Sequence, residues 1–136
     1  MKKRVLFLCT GNSLRSQMAE GLLRHLAGDR FEVFSAGIKP APINPYAIKV
    51  MAEIGVDISN QYSKNVSQFL NESFDYVITL CDNAKQACPF FPGKAVNMHW
   101  DLPDPSTQGT EEETMTVFRK LRDEIKDRIL SQFIER

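Results

Sequence analysis

Apolar residues rich in β-branched and aromatic types gather at Arg4 to Leu8, Phe31 to Ser35, Asp75 to Leu80 and, more weakly, Lys94 to Met98. Short runs of this kind predict strands. Between them the apolar spacing changes to a helical period. Met18, Leu22, Leu23 and Leu26 predict one face of a helix that stops near Gly28, a residue suited to the left-handed cap position. Asn44 as cap and Pro45 in the first turn open another helix, which continues through Ile48, Met51 and Ala52 and ends at Gly55. The last helix begins at Thr110, where Glu113 completes a capping box, and lines up Phe118, Leu121, Ile125, Ile129 and Phe133. With no repeat, linker or low-complexity tract, the alternation predicts one α/β domain over residues 1–136. In it a parallel sheet is covered by helices on both faces. Such sheets bind ligands at the carboxyl ends of their strands, and Cys9 directly follows the first strand.

Composition narrows the partners. The chain has 136 residues, 43% of them hydrophobic, which suits one core. Lys+Arg and Asp+Glu balance at 17 each, so no global basic field exists to hold nucleic acid, and any anion site must be local. Met1-Lys2-Lys3-Arg4 imitates the start of an export signal, but only Val5 to Leu8 follow before Cys9. No run is long enough to span a bilayer, which argues against a membrane partner. Cysteine occurs at Cys9, Cys81 and Cys88, an odd and small set that fits a cytoplasmic protein with working thiols. The acidic run Glu111 to Glu113 reads as helix-start electrostatics rather than as a metal site.

The segment from Cys9 to Arg15 carries the chemistry. Thr10, Gly11, Asn12, Ser13 and Leu14 can curl so that successive N–H groups converge on a tetrahedral oxyanion, as at other helix-start anion sites. Gly11 and Asn12 are the residues here most tolerant of positive φ. Arg15 can grip two oxygens in a bidentate fork. The same N–H cluster favours a thiolate, so Cys9 is expected to ionise below the roughly 8.5 of a free thiol, with a hydrogen bond from Ser16. Cys9 as a small buried hydrophobe closing the strand is the alternative.

The motif CTGNSLRSQMAEG resembles the phosphate loop of the low-molecular-weight tyrosine phosphatase superfamily. The resemblance implies a three-layer fold with a four-stranded parallel sheet flanked by helices, and a cysteine that attacks the oxyanion while a late aspartate protonates the leaving group. The matching acid is Asp104 in WDLPDPSTQGTEEE, with Asp101 as the fallback. Read without the family, Asp104-Pro105 is equally a turn or helix-start signal.

A phosphatase needs neither Cys81 nor Cys88. Cys81 ends the strand YVITLC, at the same sheet edge as Cys9, and Cys88 follows seven residues later. If the intervening DNAKQA is helical, the two Cα atoms stand roughly 10 Å apart, too far for a disulfide, which needs under about 7 Å. Two incidental buried cysteines remain the alternative at this point. With Cys9, the pattern resembles the thioredoxin-coupled arsenate reductases, through CTGNSLRSQMAEG, FSAGIKP, GVDISNQ, TLCDNAKQACP, HWDLPDPSTQGTEEE and LRDEIKDRI. The resemblance implies that Cys9 attacks arsenate while Arg15 and the loop amides stabilise charge, and that Asp104 protonates a departing oxygen. It further implies that Cys81 attacks Cys9 and releases arsenite, and that Cys88 attacks Cys81. The Cys81–Cys88 bridge then passes to thioredoxin, the external reductant. No bound cofactor is implied, phosphate and sulfate are expected as further ligands of the loop, weak phosphatase activity is expected beside the reduction, and a monomer is expected.

The chain departs from its relatives at Leu14, where many have a further cysteine, and in the region after ISNQ. Some relatives bind potassium through residues matching Asn12, Glu20 and two polar side chains that here read Tyr62 and Lys64. The Lys64 ammonium is expected to take the cation's place beside Glu20, with a solvated lysine as the alternative. His25 and His99 are expected to be structural or solvent-facing, since neither belongs to a ligand cluster of the kind zinc requires. Trp100 reads as a buried residue under the Asp104 loop, or else as a docking aromatic. In CPFFPG, Phe90 and Phe91 are candidates for a reductant-docking patch or for the core. Ser106 stands where tyrosine phosphatases of this type commonly carry an aromatic.

Overall fold

The computed structural model describes residues 2–89, 91–105 and 109–135. The strands are β1 (Lys3–Cys9), β2 (Phe31–Gly37), β3 (Tyr76–Thr79) and β4 (Val96–His99). They form a four-stranded sheet in the order β2-β1-β3-β4, and every pairing is parallel. Central β1 is buried continuously from Val5 to Cys9, which explains its unbroken apolar run. Edge strand β4 leaves Val96 and Asn97 exposed, and its sequence signal is correspondingly the weakest.

The helices are α1 (Arg15–Ala27), α2 (Pro45–Ala52), α3 (Asp82–Ala87) and α4 (Glu111–Ile129), the last continued by a π-helical turn at Leu130–Ile134. Alternate residues of β1 face two cores. Val5, Phe7 and Cys9 pack with apolar residues of α1, α2 and α4. Leu6 and Leu8 pack on the other face with Phe69, Phe74 and Ala84, which lie in a 3-10 turn at Val66–Phe69, the loop after it and α3. Helices therefore cover both faces, as the sequence predicts.

The caps follow the predicted chemistry where side chains do the capping. Asn44 accepts from the N–H of Tyr46, and Thr110 and Glu113 exchange both bonds of a capping box. Two details differ. Gly28 takes φ −63°, not a left-handed value, and glycine is needed there because a Cβ would stand 2.5 Å from the Arg24 carbonyl oxygen. Leu26 is exposed, so the buried face of α1 is built from Met18, Ala19, Leu22, Leu23 and Ala27 instead. Among the described residues no helix is long and apolar enough to cross a membrane.

Candidate active site at the carboxyl end of the sheet

β1 lies between β2 and β3; the connection leaving the carboxyl end of β1 runs to β2 on one side and that leaving β3 runs to β4 on the other, the place where open parallel sheets form a crevice. Cys9 ends the strand there, pairing in register with Gly37, and α1 starts at Arg15. The intervening loop is turned by its surroundings. The carbonyls of Cys9, Thr10, Gly11 and Ser13 accept from the N–H groups of Ile38, Lys39, Ala41 and Asn44. The Asn12 carbonyl accepts from Gln17 Nε2 and the Ser63 hydroxyl. In a trans peptide the N–H points opposite to the C=O, so anchoring the carbonyls outward turns the N–H groups to the inside of the loop. The N–H of Asn12 shows this directly, pointing at Cys9 Sγ over 3.2 Å.

Asn12 alone of the two expected residues takes positive φ, at +49°, whereas Gly11 does not. Its side chain stabilises that conformation from both ends. Oδ1 accepts from the main-chain N–H of Lys64 at 2.9 Å, and Nδ2 donates to Ser16 Oγ at 2.7 Å and Ser35 Oγ at 2.9 Å. Ser16 Oγ in turn lies 2.8 Å from Cys9 Sγ, the contact predicted for a thiolate-stabilising hydroxyl. Arg15 donates through Nη1 to the Leu102 carbonyl at 3.1 Å. Its Nε is buried without a hydrogen-bond partner among the described residues, so the guanidinium keeps donor capacity for an oxyanion. Asp104 is exposed at the mouth, with Oδ1 3.9 Å from Arg15 Nη2.

The thiols are free. Cys9 is buried, and Cys81 and Cys88 are half-buried. Cys81 Sγ lies 3.2 Å from Thr10 Oγ1, which ties the end of β3 to the loop. Cys81 and Cys88 flank α3 as its N-cap and C-cap, so the intervening segment is helical. At about 1.5 Å of rise per residue their Cα atoms stand roughly 10 Å apart, beyond the reach of a disulfide. Burial raises the Cys88 thiol above its ordinary value.

Lys64 is buried, and Nζ donates to the Tyr62 carbonyl at 2.7 Å and lies 3.7 Å from Glu20 Oε1. Burial lowers its pKa, Glu20 works against that shift, and Arg24 adds to it. The Tyr62 side chain is exposed, and its ring lies 4.5 Å from the Lys64 ammonium. Of the residues marked by the resemblance as a potassium site, Glu20 and Tyr62 thus lie against the Lys64 ammonium, whereas Asn12 meets the Lys64 main-chain N–H.

His25 is exposed as expected. His99, read from sequence as outside any ligand cluster, meets Asp82 and Asp101 in space, with ligand atoms within 4.8 Å of one another. Its Nδ1 is 2.8 Å from Thr79 Oγ1. Trp100 is a core residue packed on Phe7 and Phe133, not a docking aromatic. Phe91 packs edge-on against Phe74 in the second core. Phe90 and Ser106 lie outside the described residues. The sequence reading missed Gln17, Ser35 and Ser63; a fully buried glutamine in α1 and a fully buried serine in β2 are the polar interruptions that mark the first two.

The family model of low-molecular-weight phosphotyrosine protein phosphatases matches residues 4–136. The arsenate reductase of Halalkalibacterium halodurans is 50% identical over 94% of this chain and 93% of its own. That of Bacillus subtilis is 47% identical over 98% and 96%. The chain belongs to this phosphatase family, in its arsenate reductase branch. Among solved structures, an arsenate reductase in oxidized state superposes with a TM-score of 0.82 at 35% identity, covering 95% of each chain. An arsenate reductase in the phosphate binding state gives 0.77 at 34% identity, covering 96% of this chain and 95% of its own. The thioredoxin-dependent arsenate reductase of Corynebacterium glutamicum gives 0.69 at 32% identity, covering 99% of this chain and 64% of its own.

Proposed function

We propose that the protein reduces arsenate to arsenite through a relay of Cys9, Cys81 and Cys88 that thioredoxin regenerates. The observation that carries this reading is the contact of Thr10 with Cys81, which brings a second thiol to the rim of the Cys9 loop, where hydrolysis has no use for one. The names of the relatives support the reaction, that of the Corynebacterium enzyme supports the reductant, and the phosphate-bound structure supports an oxyanion in the loop.

In the first step the Cys9 thiolate forms a bond to arsenic and an arsenate oxygen leaves as water with a proton from Asp104. The inward N–H groups of residues 10 to 15 and the Arg15 guanidinium hold the charge of the remaining oxygens. The Cys81 thiolate then attacks Cys9 Sγ. The S–As electron pair stays on arsenic, which leaves as arsenite, and a Cys9–Cys81 disulfide remains. Cys88 next attacks Cys81 and frees Cys9 as a thiolate. The roughly 10 Å along α3 exceeds disulfide reach, so this step unwinds α3 and carries the new bridge outward, where a thioredoxin dithiol reduces it. Both electrons delivered to arsenic thus come from thioredoxin, and the three thiols end as they began. We place this chemistry in the cytoplasm, which keeps thiols reduced.

The ammonium of Lys64 beside Glu20 supports a reaction independent of potassium, so turnover is expected to match in potassium and sodium chloride of equal ionic strength. The deciding experiment is arsenate-dependent NADPH consumption with thioredoxin and its reductase, comparing wild type with Cys88→Ser and with an aryl phosphate as alternative substrate. Turnover that needs arsenate, thioredoxin and Cys88 supports the relay. Arsenate turnover surviving Cys88→Ser removes the third thiol from it. Aryl phosphate cleavage without arsenate reduction makes the protein a phosphatase, the reading that its family match favours.

A further inference from the structure

A second group of donor atoms lies at the carboxyl edge of the sheet, outside the Cys9 loop. His99 ends β4, Asp101 follows it in the segment that leads to Asp104, and Asp82 is the first residue of α3. One ligand atom from each lies within 4.8 Å of the other two. The proposed relay uses none of the three.

The histidine is the oriented member of the group. Its Nδ1 lies 2.8 Å from Thr79 Oγ1, and the Thr79 hydroxyl is itself directed at the Met98 carbonyl at 3.4 Å. With that proton engaged, the threonine oxygen accepts from Nδ1–H, which leaves the lone pair of the neutral ring on Nε2. Nε2 is buried and has no hydrogen-bond partner among the described residues. It faces Asp82 Oδ1 at 3.4 Å, so a lone pair meets a carboxylate with no proton between them. A ring whose other nitrogen donates to a fixed oxygen is the arrangement that metal-ligating histidines adopt.

The carboxylates supply the remaining donors. The Asp82 side chain is 78% exposed and Asp101 is exposed, so both are free to rotate, and neither is paired with a lysine or arginine among the described residues. Two negative groups gathered at one lone pair are completed by a cation. Donors held at about 2.0–2.2 Å from a first-row divalent ion stand roughly 3.0–3.5 Å apart, so the spacing of His99 and Asp82 already fits. Asp101 closes the third side by turning its side chain. One imidazole with two carboxylates suits zinc better than calcium or magnesium, which prefer oxygen donors alone. Cys81, next to Asp82 in sequence, turns its sulfur to Thr10 at 3.2 Å and is not among the converging donors.

We propose that Asp82, His99 and Asp101 bind a divalent transition-metal ion of the zinc class, with water completing its coordination, and that the ion clamps the first turn of α3 to the end of β4. The consequence of the clamp rests on the relay reading. Cys88 reaches Cys81 only when α3 unwinds, and an ion held by Asp82 opposes that opening directly beside Cys81. Metal ions thereby gain a way to slow the last thiol step without entering the Cys9 loop.

The test is a zinc chloride titration of the reduced, nitrogen-15-labelled protein, read by the ring-nitrogen resonances of its two histidines. Zinc is expected to move the Nε2 resonance of His99 and to leave those of His25 in place. Asp82→Asn is expected to weaken that binding about tenfold or more. Amide hydrogen exchange in α3 is expected to slow at saturating zinc in the wild type and to respond far less in Asp82→Asn. Asp82 and Asp101 are exposed, so substituting them does not threaten the fold. A His99 ring that zinc does not move, with the metal taken up by the thiols alone, overturns the site. An equal shift in the wild type and in Asp82→Asn combined with Asp101→Asn overturns the ligand set. Zinc bound at His99 with α3 exchanging as before overturns the clamp. These readouts need no turnover, so a protein that binds zinc here and reduces no arsenate fails the relay reading alone.

Discussion

The hydroxyl of Thr10 lies 3.2 Å from the sulfur of Cys81 and joins the anion loop to the neighbouring strand end. In the proposed relay that hydroxyl donates to Cys81 as a thiolate, a charged hydrogen bond worth about 1.5–3 kcal/mol. Thr10→Val removes the oxygen and keeps the branched shape. Thioredoxin-coupled arsenate turnover is expected to fall about tenfold or more, and aryl phosphate hydrolysis far less, because hydrolysis uses only the main chain at this position. Equal losses in the two assays would place the effect in the loop and not in the second thiol.

The loop motif was legible in sequence because its chemistry is local. Cys9, the curl, Arg15 and Ser16 are consecutive, and a strand running into a helix leaves few ways to arrange them. The shell that turns the loop was not legible, because it comes from distant segments. The carbonyl anchors are main-chain N–H groups of residues 38, 39, 41 and 44, which carry no side-chain signature. Ser35 and Ser63 are common polar residues whose partner in the loop, Asn12, lies more than twenty residues away. Gly28 was placed correctly for the wrong reason: position marked the helix end, but crowding by the Arg24 carbonyl, not a left-handed φ, requires glycine. Of the two carboxylates beside His99, Asp101 is adjacent in sequence but Asp82 was hidden in the same way, since it stands seventeen residues earlier, before the crossover to β4.

Asp104 places a carboxylate beside Arg15 with almost no burial, its side chain 77% exposed. A residue so placed contributes little to stability, and in the proposed reaction it faces the oxygen that leaves the loop. Asp104→Asn is expected to leave Tm unchanged and to lower kcat for both arsenate and aryl phosphate by about 10²- to 10³-fold, the range for loss of a general acid. Asp101→Asn is the control, and a larger loss there than at position 104 would move the acid to Asp101.

Cys88 carries a pH dependence of known sign. Its thiol is pushed above the ordinary value by burial, so the neutral form dominates at pH 7 and the thiolate appears only as pH rises past the ordinary thiol value of 9.0. The rate of Cys88 alkylation in the reduced protein should therefore climb about tenfold per pH unit through neutrality and still be rising at pH 9. Folding favours the neutral thiol, so the associated stability is present below the ordinary value and is lost as pH rises through the folded-state value. Cys88 alkylation that levels off below pH 8 would contradict the burial. On the proposed relay, the same property delays attack by Cys88 until α3 opens and hydrates it.

Gly37 tests whether the loop depends on the strand beside it. It pairs with Cys9, and a Cβ there would meet the Asn12 nitrogen and the Thr10 carbonyl oxygen at 2.8 Å each. Both are main-chain atoms that cannot rotate away, so accommodating a methyl group means displacing the loop. Forced overpacking costs about 1–3 kcal/mol, and here the strain falls on the residues whose N–H groups would hold the oxyanion. Gly37→Ala is thus expected to lower Tm by several degrees and also to weaken phosphate binding at temperatures where the protein is fully folded. Isothermal titration with phosphate at 15 °C separates the two effects. Wild-type phosphate affinity in a destabilised but folded variant would mean that the loop holds its shape without the fit against β2.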